Sequence, residues 1–252
     1  MEPLENIEEH ARVWGSPGEG ARTMGMLRVF WPVLLLVMVI GYVLGVALPP
    51  VDDPPTLWSG VALLVLAGAL AYVVNHCRRG YAMFLKGARG EEQTARILGF
   101  LPSGFYVFHS LQLPQSTGSG AGDFDHVVVG PNGVFVIETK NWSGDIDTMD
   151  GQVYVDGEPA KRSPVEQVKD HGVMFSEWIR EQEKVTPKVH EVLCFVGSEL
   201  PSGSKMVDGV TVCDGRSLVS VLTEGVTLGG GLDGVHTRVC HALQLHVQEG
   251  EA

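Results

Sequence analysis

An uncharged stretch near the N-terminus constrains the fold of this chain more than any other feature. Residues 29–48, VFWPVLLLVMVIGYVLGVAL, contain no charged side chain. Because an α-helix rises 1.5 Å per residue, such a run covers about 30 Å, the thickness of the hydrocarbon core of a bilayer. A second uncharged run, rich in Leu, Val and Ala, follows at residues 57–74. The two runs together predict a transmembrane hairpin of two helices.

The alternatives to membrane insertion are a cleaved signal peptide and a buried core helix. A signal peptide begins close to the first residue, whereas here 28 mostly polar residues precede the first run. The first run is also too long for a signal peptide, and a second run follows it. The residues between the runs, PPVDDPPT, include four prolines, through which a helix would not continue. The pattern therefore favours two separate spans.

Basic residues flank the predicted spans and are absent from the short connection between them. They are Arg22 and Arg28 before the first span, and Arg78, Arg79, Lys86 and Arg89 after the second. Because cytoplasmic loops carry an excess of Lys and Arg, both termini and the C-terminal domain are predicted to be cytoplasmic, in a multi-pass protein of the plasma membrane. Gly41 and Gly45 have the GxxxG spacing that lets two helices approach closely, so a homo-oligomer formed through the spans is a further expectation.

The sequence divides into a cytoplasmic tail at residues 1–27, the hairpin at 28–76 and a mixed α/β domain at 87–250. In this last region, helical patterns alternate with β-branched and aromatic runs bounded by turn residues, as expected for a sheet between helices. The predicted helices are 91–98, 164–180, 217–222 and 235–247, and the predicted strands are 106–113, 124–129, 134–139, 152–155, 189–196 and 210–213.

The charge of the chain bears on its partners. The formal net charge is −12, and affinity for nucleic acid comes largely from Lys and Arg that displace phosphate counterions, so acidity argues against a general-purpose DNA binder. The basic pair Lys161–Arg162 and the Gly/Ser loop Ser116–Gly122 are the local candidates for a phosphate contact. The four cysteines form no CxxC pair, so reduced thiols are expected rather than a zinc site or a disulfide framework.

The most informative stretch is DFDHVVVGPNGVFVIETKNW, residues 123–142. Its central GPNG has turn composition and separates two strand patterns. A symmetric turn there places Asp125 opposite Glu138 and Asp123 opposite Lys140. Because side chains alternate between the faces of a strand, these four residues share one face. The same face is expected to carry Val127, Val129, Val134 and Val136, and the other face Phe124, Val128, Phe135 and Ile137.

The chemistry of this hairpin follows from its opposed carboxylates. Directly opposed Cβ atoms lie about 4.5–5.5 Å apart, so the two carboxylates repel, and one takes up a proton unless a cation lies between them. Mg²⁺ is the natural occupant, since it prefers oxygen ligands. Lys140 could then orient a metal-bound water or offset charge that builds on a phosphate, which are the parts of metal-assisted phosphodiester hydrolysis. An ordinary surface hairpin with a cross-strand ion pair remains the alternative.

The same residues resemble the D…ExK core of the PD-(D/E)xK nucleases, and their surroundings resemble the NERD (nuclease-related domain) family. The resemblance covers about residues 87–200. The motifs that carry it are Gly87-Ala88-Arg89-Gly90-Glu91, Asp125-His126, Glu138-Thr139-Lys140-Asn141-Trp142 and Pro164-Val165-Glu166-Gln167.

The resemblance implies a restriction-endonuclease-like fold, in which a mixed sheet is flanked by helices. It also implies that Glu91, Asp125 and Glu138 are the carboxylates that bind Mg²⁺ or Mn²⁺. Lys140 would be the catalytic lysine, and Gln167 would assist at the edge of the site. Glu92 competes with Glu91 for the role of the helical carboxylate, because boundaries from sequence are uncertain by a residue or more.

Two functions follow as expectations. The first is a membrane-anchored, Mg²⁺-dependent nuclease that hydrolyses cytoplasmic DNA or RNA. The second is a catalytically silent module that keeps the nuclease fold and binds or senses a partner at the membrane. The intact carboxylates and lysine favour the first. The acidity of the chain and the lack of a basic stripe with interleaved aromatic residues favour the second.

Overall fold

The computed structural model describes residues 10–47, 57–114, 121–226 and 232–250. The predicted connection between the spans, and most of the Gly/Ser loop Ser116–Gly122, lie outside these residues. The chain forms two compact units. One unit ends at Gly18 and resumes at Arg89, and the other is Glu19–Ala88. The first unit is therefore built from chain on both sides of the second.

Fifteen elements are present in the described residues. In chain order they are β1 (Arg12–Trp14), α1 (Glu19–Ala47), α2 (Leu57–Leu98), β2 (Tyr106–Pro114), β3 (Ala121–Gly130), β4 (Gly133–Lys140), β5 (Ile146–Met149), β6 (Gln152–Val155), β7 (Glu158–Pro159), α3 (Pro164–Glu183), β8 (Val189–Phe195), β9 (Ser204–Val207), β10 (Val210–Asp214), α4 (Leu218–Thr223) and α5 (Gly234–Gly250). The predicted helices and strands of the α/β domain are confirmed, apart from the start of the first helix. The strands β1, β5, β7 and β9 were not predicted.

The unit Glu19–Ala88 consists of α1 and the first part of α2. Within the described ranges, one helical segment, Gly25–Tyr42 in α1, is long and apolar enough to cross a membrane, and 6% of it is buried. A Cβ atom at Gly25 would lie 2.8 Å from the Cβ atom of Phe84, so α1 and α2 approach closely at this point. The second predicted span falls in the first half of α2, and the two-span hairpin remains a prediction.

The first helix of the α/β domain was predicted to begin at residue 91. It is instead the end of α2, which continues from Leu57 through Gly87 and Gly90. A glycine inside a helix costs only about 1 kcal/mol relative to alanine, so the other residues of a long helix can outweigh it. Gly90 has a packing role instead. A Cβ atom at this position would lie 2.6 Å from the Cβ atom of Asn141. The glycine therefore allows a close approach and does not mark a helix start.

A seven-stranded mixed sheet forms the centre of the larger unit. Its strand order is β1-β2-β3-β4-β8-β10-β9, with parallel pairing at β1–β2, β4–β8 and β8–β10. One face packs on α3 and α5, through residues such as Phe175 and Leu243. The other face packs on α4 and the end of α2, through residues such as Leu218 and Leu98. The predicted mixed sheet between helices is confirmed.

The register of the β3–β4 hairpin agrees with the prediction near the turn, whereas the predicted pairs Asp125–Glu138 and Asp123–Lys140 lie beyond the paired residues. Val129 pairs with Val134 and Val127 with Val136, and the regular pairing ends at the next pair, His126–Ile137. Beyond it, the backbone N–H of Thr139 donates to the Asp125 carboxylate at 2.7 Å. The Asp125 side chain thus takes the place of the next backbone acceptor.

The predicted position of Phe124 was wrong. Phe124 lies in the same core cluster as Val127, three residues away, although strict alternation puts them on opposite faces. The neighbouring strand shifts at the same level, since Phe108 and Leu111 also share this cluster. Between them, Ser110 has a left-handed φ of +50°. The alternation of both strands therefore changes by one residue at the level of Asp125.

A smaller antiparallel sheet, β5-β6-β7, follows the hairpin. The strands β6 and β7 pair on either side of Asp156-Gly157. All four cysteines are free and buried.

Candidate active site

Glu138, near the end of β4, is the buried centre of a polar cluster that reaches the surface. Its side chain is buried, and its Oε1 atom accepts two hydrogen bonds. Lys140 Nζ donates one at 2.6 Å, and Gln167 Nε2 donates the other at 2.7 Å. A buried carboxylate is tolerated only when it is paired and hydrogen-bonded. Both partners are residues that the sequence predicted for the site.

Gln167, on helix α3, is the third member of the cluster. It lies in the first turn of α3, which Pro164 begins and Ser163 caps by accepting the N–H of Glu166 at 3.2 Å. The Gln167 side chain donates to Glu138 and also accepts from Lys140 Nζ, at 2.9 Å. Each of the three side chains therefore bonds to the other two. This arrangement fixes the Lys140 ammonium at the C-terminal end of the central strand β4.

His171 is part of the same site, and the sequence prediction missed it. Its Nδ1 atom lies 3.3 Å from Glu138 Oε2, and its ring lies against Phe124 with a centroid distance of 5.1 Å. The available signal was its spacing, because residues four apart share one face of a helix and His171 follows Gln167 by four. The Glu138 Oε2 atom that faces His171 is buried and has no hydrogen bond.

Asp125 is held beside Glu138 by the Thr139 amide. Burial raises the pKa of Asp125 well above its usual value, and the charges of Glu138 and Glu91 raise it further. The pKa of Glu138 moves the other way. Burial raises it, but the contact with His171 and the charge of Lys140 outweigh burial, so the net pKa is lowered. Neighbouring carboxylates with pKa values pushed in opposite directions are typical of functional sites.

Glu91, on the last turns of α2, is the third carboxylate of the site. Burial raises its pKa from 4.5 to about 7, a hydrogen bond from the Gly18 amide lowers it, and the charges of Glu138 and Asp123 raise it. That hydrogen bond joins Gly18 N–H to Glu91 Oε2 at 3.1 Å. The carboxylates predicted at positions 91, 125 and 138 thus act on one another electrostatically.

The residues present fit a divalent metal by their chemistry. Carboxylate oxygens are the ligands that Mg²⁺ and Mn²⁺ prefer, and Glu138 Oε2 is a buried oxygen that lacks a hydrogen bond. In the part of the chain that the structure describes, no three His, Cys, Asp or Glu side chains are gathered closely enough to hold a metal ion. The cation that contacts Glu138 is the Lys140 ammonium. Glu91, Asp125 and Glu138 remain the predicted ligands.

Comparison with known proteins gives a family for this region. Residues 86–196 match the family model described as nuclease-related domain, NERD. This range includes every residue predicted for the site and confirms the resemblance. An uncharacterized protein of Bacillus anthracis is 40% identical over 60 residues, which are 23% of this chain and 28% of the relative. The chain therefore spans less than a third of that relative. No solved structure matches the chain.

Proposed function

We propose that this chain, which carries a nuclease-related domain over residues 86–196, is a membrane-anchored, metal-dependent nuclease. It hydrolyses phosphodiester bonds of DNA or RNA on the cytoplasmic side of the membrane. The observation that carries the proposal is the buried Glu138 carboxylate, which is bonded to the half-buried Lys140 and the exposed Gln167 and lies close enough to Asp125 for their charges to interact. A purely structural ion pair would not need two further carboxylates, because burying each additional charge costs free energy.

Each residue has a chemical role in this proposal. Mg²⁺ or Mn²⁺ on the three carboxylates would polarise a phosphate oxygen and make water nucleophilic at neutral pH. Glu138 stays ionised because its pKa is lowered. The Lys140 ammonium offsets negative charge that builds on the phosphate. Gln167 holds that ammonium in place through its side-chain oxygen.

The two-span anchor is supported by the position of Glu19–Ala88 in the sequence, between the two parts of the chain that form the larger unit. The larger unit contains the chain up to Gly18 and again from Arg89. Both ends of the segment Glu19–Ala88 are therefore attached to one folded body. If α1 crosses the bilayer, the chain has to cross back before Arg89. The uncharged run at 57–74 in α2 is the segment that can do so.

The surface of both helices fits a lipid environment. In α1, Trp31, Met38 and Tyr42 are exposed, and in α2 Leu64 and Tyr72 are exposed. Exposed apolar surface of this extent indicates contact with a membrane or a partner. The basic residues that flank the two predicted spans favour a cytoplasmic position for the larger unit. A reporter fused after Ala252 tests this orientation, and an extracytoplasmic signal would contradict it.

A catalytically silent binding or sensing module is the second candidate. It is favoured by the bond between Lys140 Nζ and Glu138 Oε1, which occupies an oxygen that a metal would use. The net charge of −12 favours it too, since it opposes binding of nucleic acid. The two candidates differ in whether the chain cuts a phosphodiester bond.

Cleavage of labelled single- and double-stranded DNA and RNA by the full chain in detergent micelles with Mn²⁺ distinguishes the two. The test variant carries Glu138→Ala and Lys140→Ala. The matched control carries Glu166→Ala and Lys169→Ala, which remove an exposed ion pair of α3. We expect wild type and control to cut and the test variant to be inactive. Equal cutting by all three would contradict the site, and no cutting by folded wild type would favour the binding module.

A further inference from the structure

The segment that precedes α1 is built into the sheet of the nuclease-related domain. We call residues 10–18 the strap. Its strand β1 pairs in parallel with β2, from Arg12–Tyr106 to Trp14–Phe108. The Trp14 ring stacks on the rings of Tyr106 and Phe108, at centroid distances of 5.9 and 5.0 Å. The strap therefore forms an edge strand of the sheet, although it lies outside residues 86–196.

The end of the strap packs closely against β2. Gly15 has a left-handed φ of +82°, and a Cβ atom there would lie 2.4 Å from the carbonyl oxygen of His109. Only glycine allows this approach. The next residue, Ser16, accepts a hydrogen bond from the Ser110 hydroxyl at 2.9 Å. These contacts set the position of Gly18, which is buried.

Gly18 bonds directly to a carboxylate of the candidate active site. Its backbone N–H donates to Glu91 Oε2 at 3.1 Å. We propose that the strap is a positioning element, which fixes the Glu91 carboxylate through the Gly18 amide and so completes the carboxylate site. This inference rests on the proposed function for its consequence, that the strap strengthens metal binding. The site then needs chain from both sides of Glu19–Ala88.

The contact itself is tested by hydrogen exchange in the full chain in micelles, followed by mass spectrometry of peptides that cover the strap. Glu91→Ala removes the acceptor of the Gly18 N–H, and Glu91→Gln keeps an oxygen that can accept it. We expect the Gly18 amide to exchange at least about tenfold faster in Glu91→Ala, since a hydrogen bond to a charged group is lost. Glu91→Gln should retain most of the protection. Equal exchange in wild type and Glu91→Ala would overturn the proposal.

The consequence for the site is tested by Mn²⁺ affinity, measured by titration calorimetry on the full chain. Gly15→Ala pushes the strap away from His109. Its matched control is Gly157→Ala, because Gly157 has the same φ of +82° but nothing within 4 Å of the added Cβ atom. Losing the partner of a metal ligand typically weakens metal binding about tenfold to a hundredfold. We expect this loss in Gly15→Ala and wild-type affinity in Gly157→Ala.

The outcomes separate this inference from the proposed function. Weaker binding in Gly15→Ala alone supports the strap as a positioning element. Equal affinity in all three proteins overturns it and leaves the nuclease proposal standing. If the wild type binds no Mn²⁺, the nuclease proposal fails. The exchange of Gly18 in Glu91→Ala and Glu91→Gln then still decides whether the strap fixes Glu91.

Discussion

Replacing Glu91 by glutamine should make the metal-free protein more stable at high pH. The pKa of Glu91 is raised from 4.5 to about 7, because burial and the charges of Glu138 and Asp123 outweigh the hydrogen bond from Gly18. The folded protein therefore holds this proton more tightly than the unfolded chain does. The resulting stability is fully present below pH 4.5 and is lost as the pH rises through about 7.

The magnitude follows from the same two pKa values. A tenfold change in an acid constant is worth about 1.4 kcal/mol, so the free energy of unfolding falls by about 3 kcal/mol between about pH 4 and pH 8. Glutamine does not ionise, so the variant avoids this loss. The difference in unfolding free energy between variant and wild type should therefore grow by up to about 3 kcal/mol over this range. Other titrating groups largely cancel in the difference.

The assay is urea unfolding of the full chain in a mild detergent with EDTA, at several pH values. The control is Glu181→Gln, which removes one exposed carboxylate of α3 and so corrects for the change in net charge. Adding Mn²⁺ at pH 8 should stabilise the wild type, by about 4 kcal/mol at a thousand times the dissociation constant, and stabilise Glu91→Gln less. A stability difference that does not change with pH would refute the placement of Glu91 among the carboxylates.

Three further outcomes follow from individual contacts. Gln167→Leu removes both bonds that hold Lys140 and Glu138, so single-turnover cleavage should slow by about a hundredfold while the protein stays folded; an unchanged rate would exclude a role for Gln167. Burial lowers the pKa of His109 to about 4, so its imidazole C–H signals in proton NMR should not shift between about pH 8 and pH 5, and a midpoint near 6.5 would contradict its burial. Leu193→Ala should lower the free energy of unfolding by about 2–5 kcal/mol in urea titrations, because Leu193 is fully buried. Leu245→Ala, at an exposed position, should change it by less than about 0.5 kcal/mol, and similar losses for both would contradict the core assignment.

The sequence predicted best where local rules decide the structure. The GPNG turn sets the register of β3 against β4, so a symmetric turn allowed the pairing to be derived in advance. The helix that begins at Pro164 was also predictable, because Ser163 and Pro164 are typical helix-start residues. These two elements carry Asp125, Glu138, Lys140 and Gln167. Most of the candidate site therefore follows from short-range patterns.

What the sequence did not predict depends on contacts between distant residues. Phe124 lies on the opposite face of the sheet from the one predicted. The cause lies in the neighbouring strand β2, where the alternation of side chains changes at Ser110. Gly90 lies inside α2 and packs against Asn141, which lies 51 positions away. The three residues of β1 are too few to show a period of two. The bond from Gly18 to Glu91 joins residues 73 positions apart, and no local pattern records it.

The strap and the carboxylates of the candidate active site meet at Glu91. Carboxylates at positions 91, 125 and 138 repel one another, so each needs a contact that holds it in place. The Thr139 amide holds Asp125, and Lys140 with Gln167 holds Glu138. Those contacts lie within the nuclease-related domain, whereas Glu91 is held by the strap, which precedes Glu19–Ala88. A chain that starts after Ala88 would keep the first two contacts and lose the third. Weak metal binding by such a fragment would then reflect the missing strap, which is why the full chain is the protein to assay.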